Sequence, residues 1–163
     1  MDKTTFSNKL LGVSERLYRT AKSILLDEEL AKDSVQDLYL KLWEKRNSLQ
    51  KVEDTTAFAL KVLRNLCLDK LRKKKGMDVV SGELVETQCA PSLHEMIEQK
   101  DMIKIVKKLI DQLPELQRTT IRLRDVEGLE IKEIAYITST SENAVMVNLS
   151  RARQKIRERL VKL

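Results

Sequence analysis

Apolar residues recur every three or four positions along most of the chain, which is the spacing of helices with one buried face. The pattern predicts two successive helices at residues 17–26 and 29–45, and the acidic cluster between them suits a turn and a helix start. In the second helix four apolar residues form one stripe, which we expect to face the core. They are Ala31, Val35, Leu38 and Leu42.

A third helix is predicted at residues 57–72, with Asp54 or Thr55 as its N-cap. Three lysines and Gly76 follow it directly, and basic residues followed by glycine are typical of a helix end. We therefore expect the helix to end before Gly76. Its apolar stripe consists of Leu60, Leu63, Cys67 and Leu71.

Helical periodicity fails between residues 77 and 92, where glycine, proline, serine and scattered acids are found. It resumes directly afterwards and is interrupted by Pro114, after which residues 115–124 predict another helix. The pattern therefore divides the chain into two small helical domains, 1–76 and 93–163, joined by a flexible linker at 77–92.

The C-terminal segment predicts a helix-turn-helix, with a short helix at 131–137, a polar turn at 138–141 and a long helix at 142–161. Ser141 suits the N-cap of the long helix. One face of that helix is apolar and the other polar, as in a recognition helix that lies in the major groove. Spacing alone fits an ordinary amphipathic helix with a solvated basic face equally well. The outward residues are Asn143, Met146, Val147, Ser150, Arg151 and Gln154.

The composition favours helices and a polyanionic partner. Only 4 glycines and 2 prolines occur among 163 residues, so we expect an all-α fold. The net charge of +6 is unevenly spread, with +6 on residues 1–75, −3 on residues 76–94 and +3 on residues 95–163. Two basic ends suit nucleic acid, although many basic proteins never bind it.

Several functional classes find no support in the sequence. No apolar run approaches membrane-spanning length and the first residues lack a signal-peptide pattern, so we expect a cytoplasmic protein with no direct membrane insertion. The only histidine, His94, and the two cysteines, Cys67 and Cys89, are too scattered for a zinc site. There is no glycine-rich phosphate loop and no nucleophile paired with a base. We expect no metal, no cofactor and no enzymatic activity.

Four fragments in the C-terminal part are more specific than periodicity. They read LPELQR at 113–118, LRDVEGL at 123–129, KEIA at 132–135 and SRAR at 150–153. In order and spacing they closely resemble the fourth conserved region of bacterial sigma factors, which binds the minus-thirty-five promoter element. The resemblance covers residues 113–157 nearly end to end.

The N-terminal part independently resembles the second region of the same family. The fragment AKDSVQD at 31–37, with Trp43 beyond it, is similar to the polymerase-binding helix. The fragments AF at 57–58, RNL at 64–66 and DKLR at 69–72 are similar to the promoter-melting helix. Two regions in this order around a short linker are the layout of the extracytoplasmic-function sigma factors.

The resemblance implies a role for three sets of residues. The last set, which would bind the minus-thirty-five element, consists of the six outward residues of the long C-terminal helix given above. The set that would dock on the clamp coiled coil of the polymerase core is Asp33, Gln36, Asp37, Leu40, Trp43 and Glu44. The set that would hold the non-template strand of the minus-ten element, with one base flipped out, is Lys61, Arg64, Asn65, Leu68 and Arg72.

The residues by themselves leave other interpretations open. The set that would dock on the polymerase core could instead be a solvated acidic face, and Trp43 could seal the core instead of anchoring an interface. Asn65 and Asp69, one helical turn apart, could be a structural pair that fixes the next loop.

Two departures from the family pattern bear on promoter choice. The promoter-melting helix carries a single aromatic residue, Phe58, where the family usually has tryptophan. Because base stacking on aromatics contributes about 1–3 kcal/mol per base, we expect strict dependence on the minus-ten sequence. In the last helix Ala144, Met146 and Asn148 stand where relatives commonly have threonine and basic residues. Arginine-to-guanine readout is lost there, so a thymine-containing minus-thirty-five element is expected.

The resemblance implies a sigma factor whose partners are the RNA polymerase core, promoter DNA and an anti-sigma factor. The alternative is a stand-alone helix-turn-helix regulator whose N-terminal domain senses a signal or dimerises. That alternative predicts specific DNA binding without polymerase, and it does not explain the polymerase-binding and promoter-melting motifs. A purely structural helical adaptor would leave the recognition-helix pattern unexplained.

Overall fold

The computed structural model describes residues 1–81 and 102–163, and within these ranges every regular element is helical, which confirms the expected all-α fold. No helix in these two ranges is both long and apolar enough to cross a membrane. The N-terminal unit consists of α1 (Lys3–Leu11), α2 (Ser14–Leu25), α3 (Glu28–Glu44), α4 (Arg46–Leu49) and α5 (Thr55–Ser81). The C-terminal unit consists of α6 (Met102–Asp111), α7 (Glu115–Ile121), a π-helical turn (Arg122–Val126), α8 (Ile131–Thr138) and α9 (Glu142–Val161).

The three longest helices described begin where a short polar side chain accepts a hydrogen bond from the first turn. Asp27 accepts from the Leu30 amide at 3.0 Å, at the start of α3. Asp54, and not Thr55, caps α5, and its carboxylate accepts from the Ala57 amide at 2.9 Å. Ser141 caps α9 in the same way. An N-cap of this kind contributes about 1 kcal/mol, so the sequence fixes these three starts locally.

The predicted end of α5 before Gly76 is wrong, because the helix continues to Ser81. Lysine is a good helix former, and the three lysines before Gly76 extend the helix instead of capping it. Gly76 does not adopt the left-handed conformation of a glycine cap. The predicted linker at 77–92 therefore begins within a helix, and its residues from 82 onward lie outside the described residues.

The helix predicted at 115–124 is divided in two. Regular α-helix ends at Ile121, and a π-helical turn from Arg122 to Val126 follows it. Gly128 then has a φ of +75°, a backbone conformation that other residues rarely adopt. This turn redirects the chain toward α8.

The predicted apolar stripes of the N-terminal unit pack against each other. Leu38 and Leu42 of α3 and Leu60, Leu63 and Cys67 of α5 are at most 1% exposed. Burial raises the pKa of the Cys67 thiol to about 11. The thiol is therefore protonated at neutral pH and acts as a small core residue.

The C-terminal unit has its own small core and also shares the N-terminal one. Leu109, Ile121, Leu149 and Ala152 bring α6, α7 and α9 together. A second group packs into the same buried cluster as α2 and α5, so the two units meet across an apolar junction. Its members are Leu123, Leu129, Ile134, Ala135, Ile137 and Val145.

Arg118 of α7 connects the units by hydrogen bonds from a buried guanidinium. Its side chain donates to the backbone carbonyls of Leu113 at 2.9 Å and Asp111 at 3.3 Å, which end the preceding helix. It also donates to the carbonyl of Ile24 in α2 at 2.9 Å. Burial lowers the pKa of Arg118, but a guanidinium stays charged at neutral pH.

We predict that Arg118→Leu lowers the free energy of unfolding by about 3 kcal/mol or more, because it leaves three backbone carbonyls without their donor. Urea unfolding followed by circular dichroism measures the change. The control is Arg151→Leu, on the exposed face of α9, which should change stability by no more than about 0.5 kcal/mol. Equal stability of the two variants would contradict the structural role of Arg118.

Candidate nucleic-acid interface

The first candidate surface is the acidic face of α3. Asp33, Gln36, Leu40 and Glu44 are exposed, and Asp37 is partly exposed. Leu40, a large apolar side chain among polar neighbours, is 65% exposed. The structure thus brings five of the six predicted residues together as an apolar side chain surrounded by polar and acidic ones.

Lys70 of α5 holds the two aspartates of this face in place. Its ammonium lies 2.6 Å from the Asp33 carboxylate and 2.9 Å from the Asp37 carboxylate. The pKa of Lys70 is raised; partial burial opposes the rise, and hydrogen bonds to the two carboxylates outweigh it. The sequence analysis missed this role, although Lys70 stands in the DKLR fragment and α5 was predicted.

Trp43, the sixth predicted residue, is half-buried under α1. Its ring packs edge-to-face against Phe6, with centroids 5.1 Å apart. The guanidinium of Arg46 lies 4.4 Å from the centroid of the indole ring. Trp43 therefore attaches α1 to α3 through its contact with Phe6.

The second candidate surface, on α5, is only partly open. Asn65 and Arg72 are exposed, whereas Lys61 and Leu68 are half-buried. The Lys61 ammonium lies 4.4 Å from the ring centroid of Tyr136 in α8. Arg72 pairs with Asp69 at 3.2 Å, so the carboxylate that could have fixed a loop together with Asn65 has a partner within its own helix.

Arg64, the fifth residue of this set, is buried against the C-terminal unit and is only 8% exposed. Its guanidinium donates to the Glu115 carboxylate at 3.1 Å and to the carbonyl of Thr138 at 3.3 Å. In this arrangement of the units the predicted face does not exist as one continuous surface.

The third candidate surface, on α9, is formed and open. All six predicted residues are exposed, and the two apolar ones, Met146 and Val147, are 52% and 38% exposed. The Asn148 amide donates to the carbonyl of Ala144 at 2.8 Å and is therefore committed to its own helix. The opposite face is buried, as predicted, through Val145, Leu149, Ala152 and Ile156.

Arg153, the last residue of the SRAR fragment, is held by Asp125. The two side chains form a bidentate pair at 2.6 and 3.0 Å that connects α9 to the π-helical turn. The hydrogen bond to Asp125 raises the pKa of Arg153. Sequence analysis offered no sign of this pair, because the partners are 28 residues apart.

A further contact between the units centres on Glu127, which no sequence pattern indicated. Its carboxylate accepts from Arg16 at 3.1 Å and from Arg19 at 2.8 and 3.1 Å, both in α2. The Glu127 side chain is only 6% exposed. The hydrogen bond from Arg19, followed by the charge of the two arginines, holds the pKa of Glu127 below its usual range.

Comparison with known protein families agrees with the two units. Residues 13–76 match sigma-70 region 2, and residues 103–156 match sigma-70, region 4. Among curated relatives, the RNA polymerase sigma factor SigV of Bacillus subtilis is 30% identical over 145 residues, which cover 89% of this chain and 84% of SigV. The ECF RNA polymerase sigma factor SigM of the same organism is 24% identical over 86% of each chain.

Two solved structures resemble the whole arrangement. The sigma factor RpoE from Bartonella quintana, in complex with the anti-sigma factor NepR, has a TM-score of 0.79 and 25% identity, and the match covers 98% of both chains. CnrH, in complex with the cytosolic domain of CnrY, has a TM-score of 0.68 and 19% identity over 99% of this chain and 90% of CnrH, and shows likeness of fold.

We predict that Glu127→Gln destabilises the protein at neutral pH and that the difference from wild type shrinks in acid. A carboxylate whose pKa is lowered by folding stabilises the folded state above its unfolded pKa. This contribution is lost as the pH falls through the folded pKa, so the difference should decline below about pH 5. Urea unfolding of both proteins between neutral and acidic pH measures it.

Glu53→Gln, at an exposed position before α5, is the matched control and should show a small difference at every pH. A Glu127→Gln difference that stays constant with pH would contradict the charge-based contact.

Proposed function

Since the chain belongs to the extracytoplasmic-function group of sigma factors, which direct core RNA polymerase to promoters, we propose that its two units carry out this task through three separate surfaces. The single observation that carries the proposal is the order of the two family regions, each of which coincides with a helical unit that bears one or more of these surfaces. Because its partner would be RNA polymerase, we propose that the chain acts in the cytoplasm, as an initiation factor and not as a catalyst.

We assign core-polymerase binding to the α3 face. Leu40, exposed by 65%, is the apolar side chain that a partner would cover. The carboxylates of Asp33 and Asp37 beside it would meet basic side chains and set the orientation of docking. Lys70 holds both carboxylates in a fixed position, so less side-chain conformational entropy is lost when a partner binds. In the family this helix docks on the clamp coiled coil of the core enzyme.

We assign capture of the minus-ten strand to α5. Asn65 and Arg72 are accessible, and Lys61, Leu68 and Arg64 would join them when the C-terminal unit moves away. Phe58 is half-buried against the N-terminal core and is poorly placed to stack on a base. Since stacking is weak here, strand capture would depend on backbone charge and on one flipped base, and promoter use would be strict.

We assign recognition of the minus-thirty-five element to the outward face of α9. Met146 and Val147 are apolar and exposed, and could contact thymine methyl groups in the major groove. Asn143 and Arg151, which flank them, are the polar readers in this proposal. Arg157, also exposed, adds charge for phosphate contacts that position the helix without reading sequence.

We also propose that an anti-sigma factor binds this chain. RpoE, which matches 98% of this chain, was solved in complex with the anti-sigma factor NepR. The closed arrangement of the two units, with Arg64 covered, is the arrangement that an inhibitor would have to stabilise.

We predict that Asp33→Arg combined with Asp37→Arg abolishes promoter-dependent transcription, because it reverses the charge of the docking face and breaks its contact with Lys70. The measurement is run-off transcription with core polymerase from the source organism, on fragments that include the region upstream of the gene.

The control variant, Glu15→Arg with Glu53→Arg, changes the net charge by the same amount at exposed positions outside the three surfaces. It should retain run-off activity. Full activity of the α3 double variant would refute the docking face, and specific DNA binding without any transcript would favour the stand-alone regulator.

We predict that Asn143→Ala combined with Arg151→Ala relaxes discrimination in the minus-thirty-five element by about 1–3 kcal/mol at the positions read. A library of promoters randomised over that element, transcribed by the reconstituted holoenzyme, measures the change. Lys162→Ala removes a positive charge from the end of the same segment and should leave the preference unaltered. An unchanged preference in the double variant would refute the assignment of these readers.

A further inference from the structure

The guanidinium of Arg64 is already occupied in the closed chain. It binds the Glu115 carboxylate at 3.1 Å and the carbonyl of Thr138 at 3.3 Å, and both partners belong to the C-terminal unit. The Arg64 side chain retains only 9% of its exposure. A strand of DNA cannot reach this guanidinium while the two units are together.

The partners of Arg64 resemble the ligand that they exclude. A carboxylate presents two anionic oxygens to a guanidinium, as a phosphate does. The second carboxylate oxygen of Glu115 accepts a hydrogen bond from the Thr119 hydroxyl at 2.9 Å, which fixes the orientation of the group. The other partner, the carbonyl of Thr138, lies at the C-terminal, partly negative end of α8. Two acceptors of negative potential are therefore held against Arg64.

Arg64 is not fully satisfied by these partners. Its Nε is buried and has no hydrogen-bond partner, so one donor of the group is lost to the closed arrangement. Outside the junction that donor could bind water or a phosphate oxygen, which favours opening. The contacts of Glu127 with Arg16 and Arg19, and of Arg118 with Ile24, also join the two units and oppose opening.

The two DNA-binding surfaces are affected differently by closure. The outward face of α9 is exposed in the closed chain, whereas α5 has Arg64 buried and Lys61 covered by Tyr136. Closure therefore covers part of the α5 surface, including Arg64, and leaves the outward face of α9 accessible.

We propose that Glu115 is an internal competitor of the minus-ten strand, which occupies Arg64 in the free chain and must release it before the strand can bind. The inference rests on the proposed role of α5 in strand capture. It makes the closed chain competent for the minus-thirty-five element alone, and it makes separation of the units a condition for binding the minus-ten strand. The apparent affinity for that strand is then reduced by the fraction of molecules that are open.

The test is fluorescence anisotropy of the free, full-length protein with a labelled single-stranded oligonucleotide. The oligonucleotide carries the non-template minus-ten sequence of a promoter that the protein transcribes in run-off assays. Glu115→Ala should bind it about tenfold more tightly than wild type, since apparent affinity follows the open fraction. Glu127→Gln, which weakens the same junction without touching Arg64, should also bind it more tightly.

Glu53→Ala is the control, because it removes the same charge from an exposed position outside α5 and α9. It should bind the oligonucleotide as wild type does, and all variants should bind a double-stranded minus-thirty-five fragment equally. If Glu53→Ala tightened binding of the oligonucleotide as much as Glu115→Ala, the effect would be one of net charge alone, and the inference would be overturned.

Run-off transcription by holoenzyme reconstituted with Arg64→Ala separates the inference from its premise. If this variant loses transcription while Glu115→Ala binds the strand no better than wild type, the internal competitor is refuted and strand capture by α5 stands. If Arg64→Ala transcribes normally, the role of Arg64 in strand capture fails, and the inference fails with it.

Discussion

A buried guanidinium needs acceptors for its donors, and in this protein the acceptors of two buried arginines lie on both sides of one junction. Arg118 of the C-terminal unit donates to the carbonyl of Ile24 in the N-terminal unit. Arg64 of the N-terminal unit donates to Glu115 and to the carbonyl of Thr138 in the C-terminal unit. Each unit therefore provides hydrogen-bond acceptors for a buried guanidinium of the other unit. When the units separate, both guanidinium groups are transferred to water, which solvates them readily.

These hydrogen bonds between the units explain how one small protein can be stable when closed and still open when it functions. Buried ion pairs contribute little net stability compared with apolar contacts, because the charges regain hydration when they part. The apolar contacts across the junction, such as those of Ile134 and Ile137 with the N-terminal core, are the larger opposing contribution. A partner that contacts both units, or polymerase and DNA that bind each unit separately, can therefore shift the balance between the two arrangements.

The sequence predicted most of the elements because their signals are local. The stripes of α3 and α5, the N-caps Asp54 and Ser141, and the two faces of α9 depend only on residues within a few turns of one another. Resemblance to the family then assigned a use to each face. The end of α5 was predicted wrongly because lysines suit both the last turn and the interior of a helix. Gly76 made a helix end the favoured interpretation, but its backbone does not adopt the left-handed conformation of a glycine cap.

The contacts that sequence analysis could not provide are those between distant segments. The pairing of Arg64 with Glu115, of Glu127 with Arg16, and of Arg153 with Asp125 joins residues 51, 111 and 28 positions apart. Helical periodicity says which face a residue occupies, but not which other helix covers that face. Arg64 was for this reason expected on an open surface.

Small-angle X-ray scattering of the free protein tests the closed arrangement most directly. The account predicts a single compact particle with a radius of gyration of about 15 Å for 163 residues. A clearly larger radius with a two-peaked distance distribution would show that the units are separate in solution and would contradict it.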